Sequence, residues 1–276
     1  MQANATTTNQ RVQNERARMR ALVRFNGLAF HSLAAASFLE SAVPLQVRRL
    51  ARAFGDRPDA RFWLEQVWWP QRAELGRRLR GYVEATWPEF DWDDGYQEFS
   101  GNYHPGGGLA GRQGGASVEA LGLCVTAAQA ALFYRSLASS ADEPALRALA
   151  RMAAADHAGY FDFFRALFER CRVNERVGLA ATWRTLIAVC RSARDHDVAA
   201  AFHALERNWK GAPIVPGFRY PDYRERMAQL IRRHAAPGPV QRLLFRPWLV
   251  REKSAPAPQR AASDRAGWPR LAAHSA

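Results

Sequence analysis

Residues 151–164, RMAAADHAGYFDFF, set the tightest limit on the fold. Ala153, His157, Tyr160 and Phe164 recur with the 3.6-residue rhythm of one buried helix face. Upstream, Asp142 is placed to cap this helix and Pro144 sits early, where its missing N–H costs little. The pattern runs on to about residue 171.

The same rhythm fills most of the chain. Residues 15–53 read as a long helix with Leu33, Ser37, Glu40, Pro44 and Val47 on one stripe, kinked where Pro44 removes a backbone donor. Residues 58–86 form a second, with Glu65, Trp68, Arg72, Leu75, Leu79 and Tyr82 on one face, and Pro70 bends or splits it. A third covers about 117–140, with Ser117 as its N-cap and Leu121, Cys124, Ala128 and Ala131 inward. Further helical patterns occupy about 175–194, 196–209 and 219–235. No segment alternates as a strand would. The expected fold is all-α, a bundle of four long helices with additional C-terminal helices. Residues 15–250 form the expected domain, between disordered tails at 1–14 and 251–276.

Residues 88–116 read as an irregular, flexible connection containing two misleading motifs. "DWDDG" resembles the start of a calcium loop, but its glycine comes one residue early and Asn102 stands where the closing glutamate belongs. "GGGLAGRQGG" lacks the Gly-Lys-Ser/Thr ending of a phosphate loop. No nucleophile elbow and no local Cys/His signature supports hydrolase chemistry.

The net charge of +13 over 276 residues comes almost wholly from arginine, since Lys210 and Lys253 are the lysines. Such a balance suits acidic partners. The arginines are scattered without a dense run or a nucleic-acid module, which argues against nucleic-acid binding. No apolar run approaches the roughly 18 residues of a membrane span. The polar first twenty residues lack the apolar core of a secretory signal. Three unclustered cysteines, Cys124, Cys171 and Cys190, point to a reducing cytoplasm.

Four features together resemble the ferritin-like superfamily, and within it the acyl-carrier-protein desaturases. "ESAVP" at 40–44 resembles a Glu-Glu-Ala-Leu-Pro stretch on that family's first ligand helix. "WWPQRAELGRRLRGYV" at 68–83 resembles its tryptophan-led second helix. The spacing from "LA" at 137–138 to "AAAD" at 153–156, and the small-residue, Asp-containing fourth helix, complete the likeness, which covers roughly residues 30–235.

Such proteins hold two iron ions with one Glu from each of two helices and a Glu-x-x-His from each of the other two. Carried over by position, the resemblance puts Glu40 at the first ligand. It puts Arg72 and Leu75 where Glu and His belong on the second helix, and Cys124 in place of the third helix's Glu. His157 and Tyr160 replace Glu and His on the fourth. No histidine in the chain has Asp or Glu three residues before it, so a standard di-iron site is not expected in any register. No catalytic residue is assigned.

Two arrangements remain open for the centre. Glu40 and Arg72 pair there, extended by His157 and Tyr160, or Arg72 snorkels to solvent and Glu40 sits at the edge. His157 reads as a core histidine hydrogen-bonded to Tyr160, with a mononuclear metal site of Glu40, Glu119 and His157 as the alternative. Cys124 reads as a small buried hydrophobe. The expected function is an accessory or acyl-carrier-binding protein of the desaturase-like type, needing no cofactor, with an acidic acyl carrier protein as its candidate partner. The alternatives are an oxidoreductase with a divergent iron site acting on a lipid-like or carrier-bound substrate, and a structural bundle partnering a catalytic homologue. The resemblance also implies a homodimer.

Overall fold

In a computed structural model, residues 21–104, 115–178, 196–211 and 218–234 are described, together with 180, 182–184 and 187. The described residues are all-α, with no strand among them beyond a single antiparallel bridge between Phe90 and Trp209. The two expected tails, the glycine-rich stretch 106–114, Cys190 and most of the 175–194 pattern lie outside the described residues.

The first predicted helix is three pieces rather than one. After a helical turn over 21–24, Asn26 ends the run and caps α1 (Gly27–Ser41), its side chain accepting from the Ala29 N–H at 3.1 Å. A bend of 45° at Ala42 then separates α1 from α2 (Val43–Ala53), which carries Pro44 in its first turn. Proline is tolerated there because a first-turn N–H has no intrahelical partner.

The second predicted helix starts as α3 (Pro58–Trp63), passes through one π turn (Leu64–Trp68) and continues as α4 (Trp69–Thr86). The Trp69 N–H reaches back five residues to the Leu64 carbonyl, and Pro70 follows without a donor to place. The wider turn lets the chain pass Pro70 without breaking. Of the predicted face, Trp68, Arg72, Leu75, Leu79 and Tyr82 are buried and Glu65 is half-buried.

Residues 92–102, expected to be irregular, form α5 (Trp92–Asn102). Asp91 caps it by accepting from the Asp94 N–H, so the aspartates of "DWDDG" begin a helix. Trp92, Tyr96 and Phe99 share a face that packs on Phe38 of α1.

The helices α6 (Ala116–Ser140) and α7 (Pro144–Asn174) form an antiparallel hairpin. Ser117 does not cap α6. It lies in the first turn, and Glu175 from the far end of α7 accepts from both its backbone N–H and its hydroxyl, supplying the cap from across the hairpin. At the other end Glu143, not Asp142, is the N-cap residue of α7, and its buried carboxylate accepts the Tyr82 hydroxyl of α4. The helices α8 (His196–Asn208) and α9 (Tyr220–His234) lie against α1, with α8 also on α5 and α9 on α6.

One described helix, α6, is long and apolar enough by length and composition to cross a membrane, where the sequence had suggested none. Its polar Ser, Thr and Gln interrupt any continuous apolar run, yet Glu119 and Arg135 are its only charged residues. It packs against α2, α7 and α9, as a core helix does.

Gly76 lets α1 and α4 approach. A Cβ there would stand 2.8 Å from the Ser41 hydroxyl oxygen, 3.1 Å from the Ser41 nitrogen and 3.2 Å from the Glu40 carbonyl carbon. Glycine thus brings the α4 backbone against the end of α1 that carries Glu40.

Candidate functional site

Two apolar cores share these helices. One gathers Phe30, Leu33, Phe38, Leu75, Leu79, Trp87 and Ala153; the other gathers Val43, Val47, Trp68, Cys124, Ala128, Tyr160 and Phe164. Along α4 and α7 the change from one to the other falls at Arg72 and His157. A polar layer separates the cores there.

Four helices supply that layer. Glu40 of α1 accepts from the Arg72 Nε of α4 at 2.6 Å through Oε2. Its Oε1 accepts the Tyr134 hydroxyl of α6 at 3.1 Å and lies 3.0 Å from the His157 Nε2 of α7. Arg72 also donates from Nη2 to the Leu39 carbonyl at 3.3 Å, and its guanidinium lies 5.0 Å from the Trp68 ring centre. The Tyr134 and His157 rings stack at 5.4 Å. Glu40 is 3 % exposed and Arg72 6 %, so the pair is buried and Arg72 does not snorkel.

The electrostatics follow from this burial. Desolvation pushes the Glu40 carboxyl up, but the Arg72 guanidinium and then His157 outweigh it, and its pKa falls to about 2. Burial opposes the Arg72 cation, while Glu40 holds its pKa raised. Burial, then the Glu40 charge, keeps the Tyr134 hydroxyl far above its ordinary value, so it remains a donor. A carboxylate this acidic is a poor general base near neutrality.

The predicted site residues divide. Glu40, Arg72 and His157 meet. Leu75, one turn along from Arg72, belongs to the apolar core and brings no polar atom. Cys124 lies in the second core, its thiol pushed up by burial, and makes no part of the layer. Tyr160 touches the His157 ring edge-on at 5.2 Å but forms no hydrogen bond with it. The Tyr160 hydroxyl and His157 Nδ1 are buried without a hydrogen-bond partner among the described residues. Glu119 pairs with Arg49 of α2 at 2.5 Å, so the set Glu40, Glu119 and His157 is not assembled. Among the described residues, no three His, Cys, Asp or Glu side chains gather as a metal site.

Tyr134 is the member the sequence reading missed. It is buried on α6 three residues beyond Ala131, and a buried tyrosine hydroxyl needs a partner. That requirement was its one signal.

Comparison with known protein families, with curated proteins and with solved structures finds no match to this chain.

Proposed function

We propose that the chain is a ferritin-like, desaturase-like helical protein that has lost the di-iron site and serves as an accessory protein binding an acidic carrier. One observation carries this reading. Glu40, the position at which the resemblance keeps its ligand type, has both carboxylate oxygens engaged by Arg72, Tyr134 and His157.

This donor set does not suit a pair of iron ions. Iron needs several carboxylates and imidazoles. Here one carboxylate and one imidazole share the layer with a guanidinium, which is permanently charged and repels a metal cation. Arg72 already supplies the positive charge that a buried Glu40 requires. The carrier part of the reading draws on the arginine excess, with exposed arginines on α2 (Arg48, Arg52), α4 (Arg77) and α7 (Arg151).

Metal analysis of protein produced with added ferrous iron tests the first part. We expect no stoichiometric iron, and about two irons per chain would overturn it. Titration with an acidic acyl carrier protein tests the second. Binding that weakens as salt is added is expected. No binding at low salt would remove the carrier from the proposal.

A further inference from the structure

A second buried histidine, remote from the polar layer in its partners, holds the C-terminal helices onto α1. His31 is 7 % exposed. Its Nδ1 lies 2.8 Å from the Gly27 carbonyl oxygen. A carbonyl only accepts, so Nδ1 carries the proton and Nε2 is the atom left to titrate. The ring stacks on Phe202 of α8 at 4.7 Å and 22°. Phe218 meets it edge-on at 6.0 Å, and Tyr223 of α9 is tilted against it at 6.0 Å. Phe202, Phe218, Tyr223 and Met227 form a separate small apolar core, with the Ser32 hydroxyl of α1 donating to the Met227 sulfur.

We propose that His31 makes the seating of α8 and α9 on α1 sensitive to acid. Protonation places a charge inside this aromatic seam and releases the two helices together. Among the described residues, the charged and titratable groups around the seam give that charge no counter-ion. From α8, His203 lies behind Phe202 and pairs outward with Glu206. From α9 come the Tyr220 and Tyr223 phenols, the latter pushed up to about 12 by burial, and Arg226, whose guanidinium covers the Phe218 ring. From α1 comes the Gly27 carbonyl, already bonded. Among the described residues no carboxylate contributes to the surroundings of His31, and burial holds its imidazole below the ordinary histidine value.

The sign follows from linkage. The unfolded or undocked histidine takes up a proton more readily than the docked one, so acid favours undocking. Docking is fully supported above the ordinary histidine value of 6.5 and weakens as pH falls below it. Release would uncover Phe202, Phe218, Tyr223 and Met227, an apolar surface that neutral pH keeps closed. The Glu40 carboxylate, with its pKa held at about 2, responds in a lower range.

Hydrogen exchange on the full chain between about pH 8 and about pH 5.5, corrected for intrinsic rates, reads the switch. We expect protection of α8 and α9 to fall relative to α7 on acidification in the wild type. In His31→Phe that relative fall disappears, and in the exposed-site control His203→Gln it persists. An unchanged ratio in the wild type, the same fall in His31→Phe, or its loss in His203→Gln would overturn the proposal. Should His31→Phe not fold, an NMR titration of the wild type decides. His31 titrating below the ordinary histidine value of 6.5 supports the switch, and His31 titrating at or above it overturns it.

Discussion

Two arginine–carboxylate pairs on the same helix face opposite environments. Arg80 of α4 grips Asp93 with both terminal nitrogens, at 2.9 and 2.8 Å, reaches Glu84 at 2.8 Å and covers the Trp92 ring at 4.3 Å. Arg72, two turns earlier, makes a single contact to Glu40. By geometry alone the Arg80 pair is the better one. Its Asp93 side chain is 73 % exposed, however, while that of Glu40 is 4 % exposed. Water competes for every hydrogen bond of the outer pair and screens its charges. The inner pair has no such alternative, so removing either partner strands the other in an apolar core. Burial, more than contact geometry, decides how much the fold depends on each.

The largest expected effect is therefore at Arg72. Arg72→Met leaves the Glu40 carboxylate buried without its cation, a loss of about 3–5 kcal/mol, measured by chemical denaturation. Replacing both partners, Glu40→Leu with Arg72→Met, should recover much of that loss, because neither charge is then stranded. A double variant as unstable as Arg72→Met would show that the pair acts through shape and not charge. Acid distinguishes the same chains. Glu40 has a depressed pKa in the folded protein, so its contribution is fully present above the ordinary 4.5 and is lost as pH falls through about 2. The double variant should lack this part of the acid response.

Tyr134→Phe comes next. It keeps the ring that stacks on His157 and removes only the hydroxyl that donates to Glu40. At 3.1 Å to a charged acceptor, the expected cost is about 1.5 kcal/mol. A neutral outcome would mean that His157 and Arg72 satisfy Glu40 unaided.

The contrast between these sites also explains what the sequence revealed. Helix faces were readable because core residues repeat every three or four positions, and Arg72, His157 and Glu40 each fell on such a face. Which polar residues of the four helices meet was less readable. Cys124 and Tyr134 are both buried on α6 but belong to different cores, a difference that no periodicity reports. The helix at 92–102 was hidden because Asp, Gly, Ser and Asn have turn preferences, while the aromatic spacing of Trp92, Tyr96 and Phe99 acquires meaning only against Phe38. The cap that Glu175 gives Ser117 joins residues 58 apart, a tertiary fact with no local signature.

The smallest effect is expected at the outer pair. Asp93→Asn removes the carboxylate from Arg80 but leaves Glu84 and the Trp92 face in place, so the guanidinium keeps two of its three companions. Stability should change by no more than about 1 kcal/mol, and the change should shrink as salt is added. Salt should hardly alter the cost of Arg72→Met, because ions do not enter the core. A loss at Asp93 as large and as salt-resistant as that at Arg72 would break the comparison. It would mean that the Arg80 tie between α4 and α5, and not the depth of the charge, sets the dependence.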